Sequence, residues 1–324
     1  MTGRAAHCLF LCLFAASVAV GILAGSVGQM TLDNLHCRSS SYGDGNFLAY
    51  CRSKLYGDYE HGAIYYGLEP VAMASIRKAQ VIFLGSSKTQ AGFSSRAVRD
   101  YFGGRNIRFF IMGFGYGEAS PFALAILKRW QVSPKVVIIN ADPFFADILS
   151  QPAQDTLEGR AVFLWRLVLK MLFQRVHHAV CSVARCPEAE PSIFRSAKDG
   201  QWNWIGPYVA DRSVAIDRSV QQKMTPEALS KAADLGEKFL DAIGLDRRCV
   251  VLTGIPTSDV DATGIAEILA TALRTRSIFP PMDGLSTIEG SHLNLASAER
   301  WSGQFVEALS PILQECIPPN VARE

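Results

Sequence analysis

A doubly wound, mostly parallel α/β sheet is the fold class predicted for this chain, on three observations. Short apolar runs at Val81–Leu84, Ile107–Met112, Val136–Ile139 and Cys249–Thr253 are each followed by glycine or asparagine. Helical patterns alternate with them, over Glu69–Lys78, Ser95–Phe102, Pro121–Trp130 and Ala262–Arg274. Strand–helix repetition of this kind produces a parallel sheet covered on both faces. Ile278-Phe279 reads as a fifth strand and Ala296–Leu309 as the last helix. Thr225-Pro226-Glu227 opens another helix with a capping threonine and a proline at its first turn, and Gly244 closes it.

The chain has 324 residues, enough for one domain of about 200–250 residues plus additions. Its hydrophobic content of 49% supports a sizeable core, and a net charge of +2 gives no reason to expect a nucleic-acid partner. From Cys8 to Ala24 nearly every residue is apolar, Arg4 precedes the stretch, and the first acid is Asp33. That pattern predicts export, with residues 1–30 either an uncleaved transmembrane signal-anchor in the inner membrane or a cleaved signal peptide. An exported chain can form disulfides. Cys37–Cys51 and Cys181–Cys186 are the local pairings favoured among six cysteines, which permit fifteen arrangements. No metal or other cofactor is expected: Cys-x-x-Cys is absent, and the adjacent His177-His178 would splay on a helix.

Residues 31–78 read as an exported lead-in, turn-rich at Tyr56-Gly-Asp-Tyr-Glu-His-Gly62. The α/β domain occupies 79–143 and 225–324. Between them, 144–224 reads as an inserted helical cap. Asp155-x-x-Glu158 resembles a capping box, and the helix after it, Arg160 to about Val180, is apolar almost all round. Arg166, Lys170, Gln174 and His177 form one narrow polar stripe on it, so it is a core helix with one wet edge, a lid, or a helix in a membrane interface. Trp202-Asn-Trp204 follows in a turn-rich stretch, for packing or for stacking on a sugar.

Two short segments carry chemistry. Gly85-Ser86-Ser87 ends the first apolar run, where ligands gather in parallel sheets. Its hydroxyls serve either as helix caps or as a nucleophile beside backbone amides that hold an oxyanion. Glu289-Gly-Ser-His292 offers an imidazole as base and a carboxylate to orient it. Asp283 is an alternative orienting acid, and Lys88 reads as a solvated side chain.

These segments resemble the SGNH (GDSL-like) hydrolase superfamily, in a membrane-anchored bacterial envelope branch. Gly85-Ser86-Ser87 resembles its Gly-Asp-Ser block and Glu289-Gly-Ser-His292 its Asp-x-x-His block. The resemblance implies a flavodoxin-like sheet with Ser87 as nucleophile, His292 as base and Glu289 as orienting acid. The oxyanion would be held by the amides of Ser87 and Gly113 and by the Asn140 side chain. The third block, Gly-x-Asn-Asp, is not reproduced, since the chain reads Asn140-Ala-Asp142-Pro143 there. An ionised Asp142 would repel an oxyanion. The implied function is an exported serine esterase or O-acyltransferase, acting on an O-acetyl group of an envelope or exopolysaccharide sugar. Its partners would be an acylated carbohydrate or other ester, the inner membrane and polysaccharide assembly proteins, with the catalytic domain in the periplasm or the cleaved protein released. The alternatives are a catalytically degenerate carbohydrate-binding or assembly subunit and a lipid-directed esterase.

Overall fold

A computed structural model of the chain describes residues 45–51, 59–184, 192–205 and 213–318. Its centre is a five-stranded parallel sheet built from β2 (Val81–Ser86), β3 (Phe109–Phe114), β4 (Val136–Asn140), β8 (Val250–Thr253) and β9 (Arg276–Ser277), in the order β3-β2-β4-β8-β9. Counted within the sheet this order is 2-1-3-4-5, one of the two common doubly wound orders. The fifth strand is Arg276–Ser277, just before the Ile278-Phe279 pair expected from apolarity. Ile278 instead donates its amide to Leu252 (3.2 Å), at the strand's end.

The first apolar run works because its side chains alternate between two cores. Ile82 and Leu84 pack with Val137, Ile139, Phe110 and Met112 on one face. Val81 and Phe83 pack with Val136, Ile138, Phe109 and Ile111 on the other. The first face is covered by helices α1 (Tyr59–Tyr66), α2 (Pro70–Lys78), α5 (Ser120–Arg129), α8 (Pro226–Ile243) and α9 (Ala262–Ala272). The second is covered by α3 (Ser87–Phe93), α4 (Arg96–Gly104) and α10 (Leu295–Cys316). Each buried core side chain of this kind contributes about 1.5–3 kcal/mol. Every residue of β2, β3 and β4 is buried, which is why no polar alternation marks these strands.

The interruption between β4 and α8 is not only helical. It holds α6 (Gln151–Glu158), α7 (Ala161–Cys181), β5 (Ser192–Ser196), β6 (Trp202–Ile205) and β7 (Val214–Ala215). β5 lies between β1 (Asn46–Cys51) and β6 in an antiparallel three-stranded sheet. β7 pairs with β10 (Ser286–Thr287). Trp202-Asn-Trp204 is therefore strand, and the Tyr59–Gly62 stretch is helix rather than turn. Asp155 and Glu158 lie inside α6, whose cap is Ser150, accepting from Ala153 N–H at 3.2 Å. No side chain caps α7; Gly159, at φ 64°, closes α6 just ahead of it.

Cys249 and Cys316 form a disulfide that joins the entry of β8 to the end of α10. The expectation of local pairs missed it, because residues 67 apart become neighbours only when α10 packs back across the sheet. Cys51 and Cys181 are also disulfide-bonded, while their expected partners Cys37 and Cys186 lie outside the described residues. So does the predicted export segment 1–30. Among the described residues, no helix is long and apolar enough to cross a membrane.

Replacing both Cys249 and Cys316 by serine frees a long loop of the unfolded chain. The expected loss is about 4 kcal/mol, seen as a lower midpoint in thermal or urea unfolding. An unchanged midpoint would show that the crosslink contributes no stability.

Candidate active site

The turn from β2 into α3 gives its two serines different roles. Gly85 has φ 150°, and a Cβ there would lie 2.0 Å from Thr89 Oγ1. Only glycine fits. Ser86, extended at φ −91°, caps α3 by accepting from Lys88 N–H at 3.3 Å. Ser87, the first helical residue, is left to turn its hydroxyl outward.

The second half of the site sits on a tight loop between β10 and α10. Gly290, at φ 98°, lets the chain reverse. Its amide donates to Thr287 Oγ1 (2.9 Å), and Ile288 N–H donates to the His292 carbonyl (2.8 Å). Asn294 then caps α10 by accepting from Ser297 N–H at 2.9 Å. This closure turns Glu289 and His292 to the same side. α10 carries the loop to the β2–α3 turn by packing on α3 and α4. Ser302 and Ser95 hydroxyls bond at 2.7 Å, and the Glu299 carboxylate accepts the amides of Arg96 (2.8 Å) and Ala97 (2.7 Å). Trp301 packs tilted and Phe305 edge-on against Phe93.

His292 Nε2 lies 2.8 Å from Ser87 Oγ. Its Nδ1 is in short contact with Glu289 Oε1. Ser291 Oγ donates to the same carboxylate oxygen at 2.6 Å and lies 3.0 Å from Nδ1. Ser291 is a site residue that sequence reading passed over, because serine in a loop carries no signal of its own. Asp283 is not among the pocket-lining residues, and it is Glu289 that meets His292 Nδ1.

Ser87, Glu289, Ser291 and His292 open into a pocket of about 380 Å³. Tyr50, Tyr116, Trp202 and Trp204 supply aromatic walls, with Ile193 and Gly115 between them. Glu60 lies at its base, 2% exposed. Its Oε2 accepts from Trp202 Nε1 (3.2 Å) and lies 3.3 Å from Arg195 Nη1, while Oε1 accepts from Gly115 N–H (3.4 Å). Arg195 is wholly buried and also donates to the Gly200 (3.3 Å) and Gly113 carbonyls. Burial pushes its guanidinium below the ordinary value and Glu60 opposes that shift. Neither residue was legible in sequence: Glu60 sat in an apparent turn, and Arg195 in a stretch read as part of a helical cap.

Of the expected oxyanion residues, Asn140 has its side-chain amide committed elsewhere and Gly113 is not among the pocket-lining residues. Asn140 is fully buried: its Nδ2 donates to the Asp142 carbonyl (3.3 Å) and its Oδ1 accepts from Ile255 N–H (3.1 Å). Its amide ties the end of β4 to the chain after β8. Gly113 stays within β3 opposite Gly85, and a Cβ there would come within 2.6 Å of the Ser86 carbonyl. Gly115, two residues on, is the one that lines the pocket. Nor is Lys88 a freely solvated side chain. Its Nζ bonds Asp142 Oδ2 at 2.8 Å and Asp259 Oδ2 at 2.9 Å. Burial raises the Asp142 carboxyl above the ordinary range, and Lys88 opposes that shift.

No protein-family model, curated protein or solved structure matches the chain.

Lys88→Met would leave the buried Asp142 without its cation. A carboxyl with a raised folded-state pKa loses stability as pH rises through that value, and removing Lys88 raises it further. The variant should therefore be destabilised at pH 7 and recover part of the loss near pH 4. Denaturant midpoints across that range check it, and an equal deficit at both values would contradict it.

Proposed function

We propose that this chain is an exported serine esterase or O-acyltransferase of the SGNH (GDSL-like) type, and that an O-acetyl group on an envelope or exopolysaccharide sugar is its substrate class. The observation that carries this reading is the 2.8 Å approach of His292 Nε2 to Ser87 Oγ, with Glu289 on the other ring nitrogen. The strand order adds support, because Ser87 lies at the carboxyl end of β2, between β3 and β4, where the order reverses.

In this mechanism Ser87 Oγ attacks the ester carbonyl while His292 Nε2 takes the hydroxyl proton. Glu289 holds the ring with Nδ1 protonated and stabilises the imidazolium that forms. The leaving alcohol receives the proton as the acyl-enzyme appears. Water or a sugar hydroxyl then gives its proton to His292 and attacks the acyl carbon, which releases an acid or a new ester and frees Ser87. The Ser87 backbone amide is the oxyanion donor retained from the expected set. With the Asn140 amide committed elsewhere, one side-chain donor is missing, a deficit of about a hundred- to a thousandfold in rate. The aromatic walls offer flat faces on which a pyranose ring can stack. Export is supported by the four disulfide-bonded cysteines Cys51, Cys181, Cys249 and Cys316 and by the apolar N-terminal sequence.

The commitment of Asn140 also favours a second reading, a sugar-binding subunit that keeps the pocket without turnover. A fluorophosphonate probe separates the two. Wild type should be labelled at neutral pH and Ser87→Ala should not. Ser86→Ala should keep its label while losing about 1 kcal/mol of stability with its helix cap. An unlabelled wild type would leave the binding subunit as the better reading. Asn140→Ala should lower the unfolding midpoint yet change the labelling rate of folded protein by only a few-fold. A loss of about a hundredfold or more would return Asn140 to the oxyanion site.

A further inference from the structure

Ser291 reaches both members of the acid–imidazole pair. Its Oγ donates to Glu289 Oε1 at 2.6 Å and lies 3.0 Å from His292 Nδ1. Glu289 Oε1 is also the oxygen that meets Nδ1. The hydroxyl, the carboxylate oxygen and the ring nitrogen thus close a small triangle on the side of the ring away from Ser87, and the protons in it can be followed. An ionised carboxylate only accepts, and a hydroxyl has a single proton to give. While Nδ1–H donates to Oε1, the Ser291 proton goes to the same oxygen and leaves a lone pair of Oγ toward Nδ1–H. Were the ring proton on Nε2 instead, a bare Nδ1 would face the carboxylate, with two acceptors in contact. Ser291 would have to turn its proton from Oε1 to Nδ1, and Nε2 would have no lone pair left to take the Ser87 proton. Donation from Ser291 to Oε1 therefore goes with the tautomer that can act as a base.

The backbone makes Ser291 a firm support. It follows Gly290, whose amide donates to Thr287 Oγ1 (2.9 Å) and whose carbonyl accepts from Ser258 N–H (2.8 Å). It precedes His292, whose carbonyl accepts from Ile288 N–H (2.8 Å). From this pinned loop the hydroxyl hangs on a single side-chain torsion. Glu289 is one methylene longer than an aspartate and its side chain is 42% exposed, so burial alone does not choose its rotamer.

We propose that Ser291 is a positioning residue: by holding Glu289 Oε1 against Nδ1, it keeps the His292 proton on Nδ1 and leaves Nε2 open toward Ser87. The consequence for rate rests on the proposed serine chemistry, whereas the consequence for the ring does not. A short side chain on a fixed loop thereby removes the freedom that the longer acid brings with its reach.

The test follows the ring directly. Full-length protein, isotopically labelled at the histidine nitrogens, is read by NMR at a pH where the ring is neutral. The His292 signals are identified by their loss in His292→Ala. Wild type should carry the proton on Nδ1. Ser291→Ala should move a large share of it to Nε2, the position a free imidazole prefers, and Ser291→Thr, which keeps the hydroxyl, should restore the wild-type pattern. Fluorophosphonate labelling should slow about tenfold in Ser291→Ala and far less in Ser291→Thr. Adding Ser291→Ala to Glu289→Ala should slow it no further, since the hydroxyl acts through that carboxylate. A wild-type ring protonated on Nε2 would overturn the proposal, as would an unchanged tautomer in Ser291→Ala or a further slowing in the Glu289→Ala background. Wild type that resists the probe yet shows the tautomer shift would sink the esterase reading while supporting this one.

Discussion

The packing of α10 across α3 and α4 is the constraint on which the site depends. Ser87 and His292 lie 205 residues apart, and nothing local brings them together. The contact is made by an aromatic cluster, Trp301 and Phe305 against Phe93, and by polar pins beside it. Glu299 is the most telling pin, because it takes the first two amides of α4, donors that no turn of that helix can satisfy. One carboxylate on the last helix thereby caps a helix near the start of the sheet. The Cys249–Cys316 disulfide fastens the far end of α10 in the same sense. With the helix fixed along its length, the loop ahead of it can deliver an imidazole to within hydrogen-bond reach of a hydroxyl.

A second constraint shapes what the hydroxyl faces. The antiparallel sheet of β1, β5 and β6 is joined to the end of β3 by the buried Glu60–Arg195 pair. Removing either partner of such a pair strands a charge and costs about 3–5 kcal/mol. That cost is also a specification. Glu60 orients Trp202 through its indole N–H and contacts the Gly115 amide, so one carboxylate sets an aromatic wall and a backbone segment together. The pocket is thus assembled from the parallel sheet on one side and the small sheet on the other, with the nucleophile at the seam.

The parallel strands were legible because burial on both faces leaves a simple signature, a short apolar run ended by glycine. The small sheet was not. β1, β5 and β6 are brief and are read against turn-rich neighbours, and β1 comes from the lead-in whereas β5 and β6 come from the interruption. Local pattern left Ser86 and Ser87 as equally competent caps, and only the resemblance singled out Ser87. The positive φ of Gly85 decides it by fixing which of them starts the helix. Asn140 shows the opposite failure. A side-chain amide at a strand end looks like an oxyanion donor, yet here its two hydrogen bonds hold β4 to the chain after β8. The orientation of α7 was equally hidden: of its polar stripe, Lys170, Gln174 and His177 face inward beside Phe163 and Leu167, while Arg166 is exposed.

By itself the sequence determined the alternation of strands and helices, the glycines at strand ends, and the acid–x–x–histidine spacing that puts a carboxylate on an imidazole. Those are local properties, set by periodicity and by the reach of a few residues. Only the tertiary structure decided how closely the hydroxyl meets the imidazole, where the side-chain amide goes, and which carboxylate anchors the aromatic wall. Each of those outcomes turns on contacts between segments distant in the chain, whose geometry no local pattern encodes.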